Sequence, residues 1–183
     1  MGTGFLTTLR STMSRFEHIR HKPPESPAAA RELIVACPPM RSHVNLSHIV
    51  RTCGCFGIQR VIACGAAGIH GRIARDGAEA VEIEVHRSLP PVLDRLRADG
   101  WELVGLEQAT HSESLFSFRF VARTALVIGN ERTGLTPEEL ARLHRVAEIP
   151  MAGLPHSLNA ATATAIAVYE YCRQWPAGSE TRP

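Results

Sequence analysis

Aromatic residues are scarce: they form 5% of the 183 residues, too few for the exposed ring platform on which RNA-binding sheets stack bases. Nor is there a surplus of either charge. Lys+Arg 20 against Asp+Glu 18 gives a formal charge of +2, so nucleic acid could be met only by a local patch. No apolar run approaches the ~18 residues of a membrane span. The five cysteines, at positions 37, 53, 55, 64 and 172, are odd in number and lack CxxC spacing, which fits neither a disulfide framework nor a zinc ribbon. Cys53 and Cys55 lie two apart on a helical segment and do not face each other. The P-loop, the G-x-G-x-x-G turn and the nucleophile elbow are all missing, which leaves an enzyme for small metabolites without positive support. The N-terminus carries Arg10, Arg15, Arg20 and Lys22 but no continuous apolar stretch, which argues against a secretory signal and for a cytoplasmic protein with reduced thiols.

What is present is a globular composition, 44% hydrophobic and 21% charged, in a chain long enough for one domain with one core. Residues 1–30 stand apart as a basic N-terminal arm, RFEHIRHK followed by PPESP, either a loose tail or an arm for RNA phosphates. Residues 31–176 read as the domain and 177–183 as a tail. Within the domain, strands are expected at 32–37, 60–64, 81–86, 101–107, 124–129 and 146–151, and helices at 46–57, 91–98, 137–144 and 158–174. That alternation predicts an α/β fold on a mainly parallel sheet.

Ligands of such sheets sit beyond the carboxyl ends of the strands. Three loops fall there: PPMRSHVN (38–45), GNERTGL (129–135) and AGLPHSLN (152–159). Asn45 precedes the apolar positions Leu46, Ile49, Val50, Cys53 and Phe56 and is expected to cap their helix. His48, Arg51 and Cys55 point the other way, so Arg51 either faces solvent or meets a phosphate or a partner subunit. Gly129 and Gly134 permit a close backbone approach to a ligand. Ser157 or Asn159 can cap the last helix, whose small residues suit close packing on more than one side. The segment 66–80 reads as a loop offering Arg72 and Arg75 to solvent or to RNA.

Taken in order, NLSHIVRTCGCFG (45–57), LVIGNERTGL (126–135) and IPMAGLPHSLNAATATAIAVYE (149–170) resemble the motifs of the SpoU-type (TrmH-like) RNA ribose 2′-O-methyltransferases of the SPOUT superfamily. The likeness runs from about Leu33 to Gln174. It implies a mainly parallel sheet flanked by helices, a C-terminal trefoil knot, S-adenosylmethionine (AdoMet) as cofactor, a homodimer, and no metal or membrane. It further implies a catalytic set of Asn45, Arg51, Glu131, Ser157 and Asn159, in which Asn45 and Asn159 hold the loops together and Glu131 positions Arg51 or the ribose. The cofactor would lie against Thr110, Ile128, Gly129, Asn130, Ile149, Met151, Ser157 and Leu158. Neither a separate N-terminal RNA-binding domain nor a long C-terminal extension is recognisable, which points to the transfer-RNA branch and a D-loop guanosine. Ribosomal RNA, an anticodon wobble nucleotide and an inactive knotted RNA-binding module are the alternatives.

Overall fold

The computed structural model describes residues 18–19, 22–23 and 31–176, so most of the expected basic arm, and the tail 177–183, lie outside the described residues. In chain order the elements are β1 (Leu33–Pro39), α1 (His43–Cys55), β2 (Arg60–Cys64), α2 (Gly71–Ala74), α3 (Gly77–Ala80), β3 (Glu82–His86), α4 (Pro90–Ala98), β4 (Glu102–Leu106), β5 (Glu113–Ser114), β6 (Thr124–Ile128), α5 (Pro137–Leu140), β7 (Arg145–Glu148) and α6 (Ala160–Gln174). All seven strands pair in parallel in the order β3-β2-β1-β6-β4-β7-β5. The central strands β1 and β6 are apolar throughout because both faces of a parallel sheet are covered. The strand period of two splits β1 between two cores: Leu33, Val35 and Cys37 pack with α1 and α6, while Ile34 and Ala36 pack with α4. Burial drives the thiols of Cys37 and Cys64 up to about 12 and about 11, so both act as small protonated apolar groups.

Several boundaries differ from the sequence expectation, each for a local reason. Helix α1 starts earlier because Ser42, not Asn45, is its N-cap: the Ser42 hydroxyl accepts the Asn45 N–H at 3.3 Å. It ends where Gly57 turns left-handed at φ 67°. The segment 66–80 is not a plain loop, since α2 and α3 cover one side of α1. Helix α5 stops at Leu140, after which Arg142 N–H bonds Glu139 C=O at 3.0 Å and Leu143 N–H bonds Leu140 C=O at 3.1 Å, tight turns that feed β7. Strand β7 ends at Glu148 rather than 151, its pairing with β4 closing at Leu106↔Ala147. Helix α6 begins at Ala160, one residue past its cap Asn159. The two-residue β5 carried no readable signal.

The connection from β4 to β6 is strapped to the end of α6. Gln174, 4% exposed, accepts the Phe120 N–H at 3.0 Å and donates to the Phe118 carbonyl at 2.8 Å. Trp175 Nε1 donates to the Phe120 carbonyl at 3.1 Å. Replacing Gln174 by Ala leaves one buried N–H and one buried C=O without this partner, at about 1–3 kcal/mol each. Gln174→Ala is therefore expected to destabilise the fold by about 2–6 kcal/mol in chemical denaturation. A loss below about 1 kcal/mol would show that the strap is not held by this side chain.

Candidate active site

Because every strand runs the same way, the three loops named from the sequence emerge side by side at the carboxyl edge, after β1, β6 and β7. The loop after β6 folds first on itself. Asn130 and Gly134 form an isolated bridge, and the Asn130 Oδ1 accepts the N–H of Arg132 at 2.9 Å. The Asn130 amide also donates to the Pro39 carbonyl at 2.8 Å, tying this loop to the end of β1. Inside the turn lies the carboxylate of Glu107, which accepts the N–H groups of Gln108 and Leu135, each at 3.0 Å. A Cβ on Gly129 or Gly134 would lie 2.5 Å from the Glu107 Oε2. The two glycines therefore serve an approach to a side chain of the protein itself, not only to a ligand.

Glu131 points the other way, onto the start of α1. It accepts the N–H of Arg41 at 3.0 Å, the N–H of Ser42 at 3.1 Å and the Asn45 amide at 3.0 Å. A carboxylate suits the positive end of a helix. Burial works to raise its pKa, but the bonds from Arg41, its own backbone, Asn45 and Ser42 outweigh that and hold the carboxyl below its ordinary value. Asn45 relays the contact, its Oδ1 accepting the Asn159 amide at 3.0 Å, while Asn159 Oδ1 caps α6 by accepting the N–H of Ala161 at 2.9 Å. Asn45, Glu131 and Asn159 thus form one chain of hydrogen bonds across three loops.

Beside this chain opens a cleft of about 510 Å³. Of the residues expected there, Ile128, Gly129, Asn130, Ile149, Met151, Ser157 and Leu158 line it, with Glu131 and Asn159 on its rim. Thr110 does not: it lies exposed in the loop beyond β4, and Glu107 and Gln108, nearer the strand end, line the cleft instead. Sequence reasoning missed both of these, although their place at the carboxyl end of a strand was the available signal. Gln108 also spans the cleft, donating to the His156 carbonyl at 3.2 Å. Arg51 is not brought to the group. It lies exposed on the outer face of α1, lines neither this cleft nor the smaller one beside it between Arg41, Ser42, Asn45 and Arg132, and is not the partner of Glu131, which holds the α1 terminus instead.

A three-layer parallel α/β domain with a cleft of mixed apolar and polar lining at the carboxyl edge, rimmed by amide and carboxylate side chains from three strand-end loops, defines a ligand-binding α/β protein with the site at a strand-order crossover. The model of the SpoU rRNA Methylase family matches residues 32–169, and the chain belongs to that family. It is 30% identical over 157 residues to a mouse protein named tRNA (guanosine(18)-2′-O)-methyltransferase TARBP1, covering 82% of this chain and 10% of that one. It is 31% identical over 137 residues to the Escherichia coli (strain K12) tRNA (guanosine(18)-2′-O)-methyltransferase, covering 71% of this chain and 58% of the relative. The chain thus spans a tenth and somewhat over half of these two relatives. Among solved structures, the SpoU methyltransferase AviRb from Streptomyces viridochromogenes, in complex with AdoMet, superposes with a TM-score of 0.66 at 28% identity, covering 82% of this chain and 62% of that one.

The hydrogen-bond chain carries a pH signature. Since the folded-state pKa of Glu131 is depressed, its contribution to stability is present above the unfolded carboxyl pKa of about 4.3 and is lost as pH falls through the lower folded value. Glu131→Gln puts an amide among three donors. Its stability deficit against the parent should be full at pH 7 and shrink in denaturation curves taken progressively below about pH 4. A deficit independent of pH would mean that charge is not what Glu131 contributes.

Proposed function

We propose that the chain is an AdoMet-dependent RNA ribose 2′-O-methyltransferase that takes transfer RNA, with a D-loop guanosine as its target, and works in the cytoplasm as a homodimer. The observation that carries this reading is the meeting of Asn45, Glu131 and Asn159 on the rim of a cleft floored by Ile128, Ile149, Met151 and Leu158. The names of the mouse and Escherichia coli relatives support the substrate, and the AdoMet complex of the Streptomyces relative supports the cofactor.

The cleft fits such a cofactor. Its apolar side chains suit an adenine, the main chain of 128–134 and 149–159 offers donors and acceptors for polar edges, and the small Ala160 and Ala163 leave room at the foot of α6. Bound there, AdoMet supplies a methyl group on a sulfonium, to be taken by a ribose 2′-OH. The protein's part is placement: alignment of that kind is worth up to ~7–11 kcal/mol in well-oriented intramolecular reactions. Ser157 and Asn159 stand at the cleft mouth, where they can orient the ribose, and the Glu131–Asn45–Asn159 chain fixes that mouth. The hydroxyl proton needs an acceptor, and a guanidinium, which has no free lone pair to accept it, is a poor one. Arg51 therefore acts mainly by orienting the phosphate and the hydroxyl, with the proton passing late to surrounding water.

For that role Arg51 must meet a second subunit, since it lines neither cleft of its own. Val44 at 43%, Ile166 at 38% and Tyr169 at 59% exposure make the outer face of α1 and α6 more apolar than a solvated surface requires, and Tyr169 stacks edge-on against Phe56 at 6.1 Å. An isologous contact through this face would bury them and carry Arg51 toward the partner's cleft. The same reading assigns to the family's trefoil knot the path from β7 to α6, which returns to pack on α1 with its end strapped to the β4–β6 connection. The family's description as an rRNA methylase keeps ribosomal RNA as the second reading.

Labelled AdoMet incubated with undermodified transfer and ribosomal RNA is expected to leave its methyl on the 2′-oxygen of a guanosine from the transfer fraction. Label confined to ribosomal RNA would overturn the substrate, and none in either fraction, from a folded dimer, would point to a binding module. Arg51→Lys keeps the charge but loses the planar fork, and should lower the methyl-transfer rate at least tenfold, about 1.4 kcal/mol. Wild-type turnover in that variant, or light scattering that finds only the 20.0 kDa monomer, would remove Arg51 from a shared site.

A further inference from the structure

The described arginines at the two edges of the sheet differ in their partners, Arg51 on the outer face of α1 belonging to neither edge. At the amino edge each has a protein acceptor. Arg60, at the start of β2, and Arg95, in the last turn of α4, both bind Glu84, at 2.6 and 3.0 Å, and Arg145, at the start of β7, binds Glu113 at 2.7 Å. Burial works to raise the Glu84 carboxyl, yet Arg60, His86 and Arg95 together hold it down to about 2. Arg97 and Arg123, at the same edge, donate to the carbonyls of Arg142 and Asp99.

The carboxyl edge is the opposite. Arg41 follows β1, Arg72 lies in α2, whose start packs on the first turns of α1 through His70, Arg87 follows β3 and Arg132 follows β6. None of these side chains has an ion pair or hydrogen bond among the described residues, and all are exposed. Acids are present on this edge but leave the guanidiniums unpaired: Glu131 is taken up by the Arg41 and Ser42 N–H groups and Asn45, Glu107 by Gln108 and Leu135, and Asp76 and Glu79 pair with neither Arg72 nor Arg75. The row follows the sheet order β3-β2-β1-β6, three strand spacings or about 14 Å, and ends at the cleft. There Arg41 and Arg132 flank a second hollow of about 310 Å³ that shares Glu131 and Arg132 with the first.

We propose that Arg87, Arg72, Arg41 and Arg132 form a track for successive phosphates of the RNA strand, with Arg41 and Arg132 at its cleft end. The inference rests on the reading of the chain as an RNA enzyme and adds to it the direction of approach: the strand enters over β3 and α2 and reaches the cleft past β1. Unpaired guanidiniums suit this because their fork matches phosphate oxygens and need not first be withdrawn from a protein carboxylate. With a net charge of only +2, the local row rather than the overall field has to supply the attraction.

The test is RNA affinity by filter binding as a function of salt, using unmodified transfer RNA and two triple variants of equal charge. Arg41→Gln, Arg72→Gln and Arg87→Gln together should raise Kd at least tenfold and reduce the slope of log K against log salt by about 2–3. Arg97→Gln, Arg119→Gln and Arg123→Gln, away from the carboxyl edge, should leave both close to the parent. Thermal unfolding of each triple confirms that the folded chain is compared. Equal weakening in the two triples would show a general charge effect and overturn the track, as would an unchanged slope in the first. Methyl transfer by the parent is scored separately. Edge-dependent RNA binding without any transfer keeps the track and overturns the enzymatic reading, whereas transfer with edge-independent binding does the reverse.

Discussion

One carboxylate organises the site. Glu131 accepts two main-chain N–H groups at the start of α1 and the amide of Asn45, and Asn45 in turn accepts from Asn159 at the start of α6. The ends of β1, β6 and β7 thereby meet at one place, and two helix N-termini are fixed beside it. Polar contacts of this kind contribute modestly to overall stability, because water competes for them at an exposed position. What they contribute is geometry: the loops keep one relative arrangement, and the cleft keeps its shape. The sheet supplies the rigid base, with apolar strands buried on both faces, and the carboxylate supplies the alignment above it.

Glu107 is the counterpart on the inner side. Its carboxylate fills the turn 129–134 and leaves Gly129 and Gly134 no space for a Cβ. Two acids just beyond the ends of neighbouring strands therefore do different work: Glu107 shapes the inside of the loop, and Glu131 attaches its outside to α1. The loop is held between them, which explains why so polar a segment lines a cleft at a fixed position. The arginines show the same economy, those of the amino edge neutralised within the fold and those of the carboxyl edge left to face whatever approaches the cleft.

Much of this was legible in the chain. The continuous apolar runs of β1 and β6 announced buried parallel strands, and the Gly-, Pro- and Asn-rich segments after them announced the loops that carry the site. The outward face of His48, Arg51 and Cys55 followed from helical spacing, and all three are exposed. Seven of the eight residues assigned to the cofactor by resemblance line the cleft, Thr110 being the exception. Asn45 is not the cap, because cap preference is a local rule and its Oδ1, the atom a cap would use, accepts from Asn159, 114 positions away. Ser42, three residues earlier, satisfied the same rule.

The sequence by itself determined the class of fold, the three loops and the types of side chain on them, because hydrophobic period and turn chemistry are properties of neighbouring residues. Only the tertiary structure decided that β6 lies between β1 and β4, that Glu131 holds the α1 terminus rather than Arg51, and that Glu107 and Gln108 belong to the cleft. Those are outcomes of strand order and of hydrogen bonds between distant segments. No window of sequence contains them, since the donor and the acceptor meet only after the sheet has placed their loops side by side.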